Sequence, residues 1–258
     1  MFFATVLSSL HETAPELKAR NLSPELCPSD RFSLDALRDY RENGLNADAA
    51  LLGNLGLKCA WHGYFYSLDL ASVDETIRDY SLRAGLMDLD CAAALGAAHV
   101  VLHSGYIPPV MDFLFDYWFD LYSSQTERLL NRAQALGLTL LVENVFEADL
   151  RFPTRLMDRF GGALGLCLDA GHYAVHAKRD PGEWSALKEH IGLLHLHDND
   201  GQIDRHWALG AGKIDFAGLF AALGPEPPRM TLEMYGDFAG ADSSLAALRA
   251  MGVLKEGR

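Results

Sequence analysis

Residues 192–206 read GLLHLHDNDGQIDRH, a short apolar run that turns into three histidines and three aspartates. Imidazole and carboxylate at that density are the side chains that bind divalent metals or move protons. The same pairing of an apolar run with a ligand-type residue recurs along the chain. KCAWH ends at His62, HVVLH at His103, TLLVE at Glu143 and TLE at Glu233. LCLDAGH carries Asp169 and then His172, LLHLH carries His195, and the stretch after it adds Asp204 and His206. An unpaired carboxylate among apolar residues is costly. Glu143, behind Leu138, Leu140, Leu141 and Val142, is therefore expected to meet a partner, and so is Glu233, behind Met230 and Leu232. His11, His99, His176 and His190 are expected to be structural or surface residues.

The elements that would position these residues follow from the same runs. Eight apolar segments are strand candidates: Phe2–Leu7, Leu22–Cys27, Lys58–Trp61, Ala98–His103, Thr139–Glu143, Leu164–Asp169, Gly192–His197 and Met230–Met234. Longer amphipathic stretches lie between most of them, with helices expected over Val73–Leu95, Met111–Leu136 and Trp184–Ile191. Strands alternating with helices indicate a parallel sheet. Eight of them in about 250 residues fit an α/β fold of the (β/α)8 TIM-barrel type, with residues 1–258 as one domain. A doubly wound sheet is the rival, but no GxGxxG follows the first strand. Barrel strands gather their C-terminal ends at one mouth. There the fold would collect His62, His103, Glu143, Asp169, His172, His195, Asp204, His206 and Glu233. Imidazole and carboxylate together favour Zn, Mn, Fe or Co over an oxygen-only Mg or Ca site.

Composition narrows the partners. The 258 residues carry a formal net charge of −13, which weighs against a long polyanion, normally met by Lys and Arg. Cys27, Cys59, Cys91 and Cys167 are scattered without a CxxC pair and read as reduced thiols of a cytoplasmic protein. Cys167 shares a strand face with Asp169 and is expected inside the barrel. MFFATVLSSLHE lacks the positive start of a signal peptide. No run approaches the roughly 18 apolar residues of a membrane span. A homo-oligomer is left open.

WHGYFYSLDLAS, VVLHSGY, LLVEN, CLDAGH, HLHDNDGQIDRHWALGAGKIDF and TLEMYG resemble the strand-end motifs of the xylose isomerase-like barrel superfamily. That superfamily includes sugar isomerases, ketose epimerases and the endonuclease IV group of apurinic-site nucleases. The resemblance runs from Lys58 to Gly236. The endonuclease IV pattern implies three zinc sites: His62, His103 and Glu143; Glu143, Asp169, His195 and Glu233; and His172, Asp204 and His206. The epimerase pattern implies one ion on the second set, Glu143 and Glu233 as acid and base, and His172 orienting a substrate oxygen. The resemblance places the ligand at His195 rather than His197. His197 is expected nearer the rim, touching a ligand residue or the substrate, and Phe65, Trp207 and Lys213 are expected to contact substrate. The nuclease group has a proline where this chain has His62-Gly63-Tyr64-Phe65, and Asn43–Gly56 holds no basic residue. The expected function is therefore a metal-dependent isomerase or epimerase of a small sugar or sugar phosphate, working through an ene-diolate with one ion and at most three. An endonuclease IV-like phosphodiesterase is the alternative, and a non-catalytic sugar-binding barrel the second.

Overall fold

Each of the eight apolar runs forms a strand in the computed structural model, which describes residues 2–6, 9–27, 33–63, 69–234 and 237–254. The strands are β1 (Phe2–Val6), β2 (Ser23–Leu26), β3 (Ala60–His62), β4 (Val100–His103), β5 (Leu140–Glu143), β6 (Gly165–Asp169), β7 (Ile191–Leu196) and β8 (Arg229–Leu232). They pair in parallel and in order, and β8 returns to β1 to close a barrel. Parallel strands covered on both faces read as nearly continuous apolar runs, and these divide by parity. Val100, Leu102, Leu140, Val142, Leu166, Leu168, Leu194 and Leu196 join the large outer core. Val101, Leu141, Cys167 and Leu193 form a separate cluster inside the barrel. Cys167 is thus a fully buried filler of that layer. The layer is tight: a Cβ on Gly165 would stand 2.5 Å from Leu141 Cδ2.

The helical layer has clear start and stop signals. The helix Glu75–Leu95 begins where the Asp74 side chain accepts from the Thr76 N–H at 2.8 Å, and it ends at Gly96, whose φ is 68°. That is an N-cap and a left-handed C-terminal glycine. A second long helix covers Phe115–Ala135, later than the expected Met111 start, because a short turn at Pro108–Met111 and a 3-10 turn at Asp112–Leu114 come first. The helical segment expected over Trp184–Ile191 is present, with a different type and end. Pro181–His190 is a 3-10 helix, and Ile191 opens β7. Pro181, Trp184 and Leu187 are its buried residues, a repeat of three that suits 3-10 rather than α geometry. Among the described residues, no helix is long and apolar enough to cross a membrane.

Strand register sets the mouth. His103 pairs with Glu143 across β4 and β5, and Asp169 pairs with His195 across β6 and β7. Side chains two apart share a face, so the apolar layer at Val101, Leu141, Cys167 and Leu193 forms the floor beneath these four.

Candidate metal centre

Glu143, Asp169, His195 and Glu233 come together as an inner group, with ligand atoms within 4.8 Å of one another. His195 Nδ1 lies 3.3 Å from Glu143 Oε1 and 3.2 Å from Glu233 Oε1. His62, Glu143 and His195 form an overlapping group, with His62 Nε2 at 3.1 Å from Glu143 Oε2. His103 stands slightly apart, its Nε2 3.6 Å from the same oxygen. The outer group is His172, His197, Asp204 and His206. His206 Nε2 is 3.0 Å from Asp204 Oδ2, and His172 Nε2 is 3.4 Å from it.

His197, two residues beyond His195, lies against the ligand candidate Asp169. Its ring is fully buried, sits 3.1 Å from both oxygens of Asp169 and stacks on His206 with centroids 3.7 Å apart. The cause is the loop that follows β7. Asp198 and Trp207 pair as an antiparallel bridge, folding the chain back over His197. Gly171 makes the room: a Cβ there would stand 2.0 Å from His197 Cε1. Trp207 is partly exposed and held through that backbone bridge. Lys213 is exposed, and its backbone N–H donates to the Asn199 carbonyl at 2.9 Å. Phe65 lies outside the described residues.

Three residues that sequence reasoning passed over prove to be structural hubs. Asp198 is wholly buried and accepts from the backbone N–H groups of Asn199, Gly210, Gly212 and Ile214 at 2.8, 3.0, 2.9 and 3.2 Å. It fastens both ends of the loop that carries Asp204 and His206. Glu25, on β2, is wholly buried beside His195. The signal was available in SPELC, a carboxylate in an apolar strand, on the argument already used for Glu143. Glu147 is buried and accepts from the Ser104 hydroxyl, and burial pushes its carboxyl up to about 7.

Burial alone would lift the Glu143 carboxyl, yet the facing imidazoles of His195 and His103 hold it well below the usual carboxylate range. Burial opposes charge on His172, but Asp169, Asp204 and Glu143 raise its pKa well above the ordinary histidine value. His103, with less compensation, is pushed down by burial to about 3.

The donor set fits a divalent ion. Among buried polar atoms without an aligned hydrogen-bond partner are Glu143 Oε1, both ring nitrogens of His195, His197 Nδ1 and Asp204 Oδ1. Each orphan of this kind costs roughly 1–3 kcal/mol, and here they cluster. Two atoms each about 2.1 Å from one zinc ion lie at most about 4.2 Å apart, so the groups are close to ligating distance.

The family model of the xylose isomerase-like TIM barrel matches residues 25–254. The chain belongs to that family. A probable endonuclease 4 of Mycobacterium leprae is 30% identical over 205 residues, which cover 72% of this chain and 76% of that protein. Three uncharacterised relatives, two from Methanocaldococcus jannaschii and one from Sinorhizobium fredii, are 31%, 28% and 30% identical; the chain spans only 63%, 56% and 46% of their lengths. Among solved structures, the TTHB071 protein of Thermus thermophilus, soaked with zinc chloride, is 31% identical with a TM-score of 0.79, covering 100% of this chain and 99% of that one. A D-tagatose 3-epimerase-like protein shares the fold at 20% identity and a TM-score of 0.80, over 98% of this chain and 97% of that one.

Proposed function

We propose that this family member is a divalent-metal-dependent phosphodiesterase that uses the inner and outer groups together. The observation that carries this reading is their junction. His172 Nδ1 lies 3.3 Å from Glu143 Oε1, while its Nε2 lies 3.4 Å from Asp204 Oδ2. One imidazole therefore touches both groups, and a single-ion isomerase has no use for the second. Bound ions supply Lewis acidity toward a phosphoryl oxygen and acidify water. The protein's own residues do the rest. Glu143 touches His62, His172 and His195 and holds the three rings at one place. Asp204, the most exposed member of the outer group, is placed to accept a hydrogen bond from an entering water and orient it. The net charge of −13 points to a short phosphodiester rather than a long duplex. The identity with the M. leprae protein supports the reaction class.

A second reading keeps the isomerase or epimerase. Glu143 Oε1 and Glu233 Oε1 flank His195 Nδ1 at 3.3 and 3.2 Å, and two carboxylates around one position can remove a proton beside a carbonyl and return it. The fold shared with the epimerase-like protein supports this reading.

One purified sample separates them. Its metal content is measured, then its action on bis(p-nitrophenyl) phosphate and on an oligonucleotide with an abasic site. In parallel, a ketose is incubated in deuterated water. More than one ion per chain with phosphodiester cleavage is the expected result. One ion, no cleavage and deuterium entering the ketose would overturn the first reading in favour of the second.

A further inference from the structure

His195 has two ring nitrogens, and the groups around it decide which one faces a metal. Nδ1 lies between Glu143 and Glu233, at 3.3 and 3.2 Å from their Oε1 atoms. Nε2 faces Glu25 Oε1 at 3.0 Å. We propose that Glu25 is a positioning residue: it takes the proton-bearing Nε2 of His195 and so presents the Nδ1 lone pair to the metal. This inference rests on the reading of the inner group as a metal site.

The chain of contacts starts at the bottom of the barrel. Arg229 opens β8 with an exposed side chain, and its Nη1 is 3.3 Å from His99 Nδ1. A guanidinium can only donate, so His99 Nδ1 is the acceptor. The proton of a neutral His99 ring is then on Nε2, which donates to Glu25 Oε2 at 3.3 Å. Thr231 Oγ1 donates to the same oxygen at 2.8 Å. Phe3 packs edge-on against the His99 ring with centroids 5.0 Å apart, fixing its plane. Glu25 is thus held from below by two donors, with Oε1 turned up toward His195.

A carboxylate accepts and does not donate. Carboxylates face both ring nitrogens, but Glu143 and Glu233 belong to the inner group; with an ion held there Nδ1 gives its lone pair, and the hydrogen left on Nε2 points at Glu25. The Nε2–Oε1 contact is short but off the line of a hydrogen bond, so both atoms are buried without an aligned partner. Pairing them by a small ring rotation is downhill, since each orphan is costly. An imidazole that ligates a metal with one nitrogen and donates to a carboxylate with the other is both oriented and made more basic.

The test follows the inner zinc ion, whose binding His195→Gln should weaken without abolishing. Its affinity is measured on the full chain by competition with a chelating dye, in wild type, Glu25→Gln, His195→Gln and the double variant. Ring-nitrogen NMR shifts of zinc-loaded wild type should show His195 protonated on Nε2. Glu25→Gln should weaken zinc binding about tenfold to a hundredfold with an unchanged circular dichroism spectrum. In the His195→Gln background, Glu25→Gln should add nothing, because Glu25 acts through that ring. If Glu25→Gln does not fold, Thr231→Val, which removes one of the two donors holding Glu25, should weaken the same ion several-fold. Zinc held by Glu25→Gln as tightly as by wild type overturns the proposal, and so does an equal loss with and without His195. A wild-type chain that binds no zinc overturns the metal reading itself, a result distinct from either.

Discussion

Glu143, Asp169 and His195 lie in strands whose ladders also hold the apolar floor beneath them. Asp204 and His206 lie on a loop fastened by one buried aspartate and one bridge. Inner donors inherit their spacing from the closed sheet, so no local turn has to be right for them to meet. Outer donors depend on a backbone fold that glycines permit: Gly210 has a φ of 86°, and a Cβ on Gly212 would stand 2.2 Å from the Asn199 carbonyl. His206 itself sits at a φ of 49°, a left-handed conformation uncommon outside glycine that histidine tolerates better than most residues. The barrel supplies a rigid half and the loop an adjustable half, and they meet at His172.

The largest effect should come from breaking the rigid half. Glu143→Ala removes the carboxylate shared by His62, His172 and His195. It should abolish both metal retention and turnover, read by elemental analysis and a steady-state assay. Next comes the outer half alone. The triple variant His172→Ala, Asp204→Ala, His206→Ala should lose one metal equivalent and most of its activity while melting as a folded protein. If metal content and turnover stay at wild-type values, the outer group is not a site and the isomerase reading stands.

Asp198→Ala sharpens the comparison further, because it leaves every ligand in place. Four backbone N–H groups lose their acceptor. Urea denaturation should show a loss of about 3 kcal/mol. Zinc should be lost first from the outer group; loss of the inner ion first would contradict the division into halves.

The smallest effect is a pH slope. Glu147 has a folded pKa of about 7 against an ordinary 4.5. Its protonated form is the one folding favours, so its contribution is complete below 4.5 and is lost as pH rises through 7. Over that window stability should fall by about 1.4 kcal/mol per pH unit. Glu147→Gln should flatten the slope, which denaturant titrations at several pH values would detect; an unchanged slope would show that Glu147 is ionised throughout.

Much of the rigid half was legible in the sequence because it obeys local rules. A carboxylate behind apolar residues, as in TLLVE, has to find a partner, and a strand alternates its faces. Glu25 obeyed the same rule but lay in the irregular stretch around β2, where the periodic signal was weakest. His99 was expected to be structural and is, although its bond to Glu25 depends on a strand that sequence spacing could not place beside it. The loop was less legible. Asp198 read as one more acidic residue of HDNDGQID, because its partners are backbone N–H groups that carry no residue-type signal. The segment Pro181–His190 was legible as helical but not as 3-10, because a period of three and one of 3.6 differ little over so few turns.

Gly171 has a consequence for how this chain can change over generations. Its missing Cβ is the space that the His197 ring occupies. The two positions therefore cannot drift independently. A larger residue at 171 becomes acceptable only once 197 has shrunk. A lineage that has shrunk 197 is then free to lose the glycine, and after that loss no single step restores the histidine. The fourth donor of the outer group and the glycine opposite it are inherited as one character.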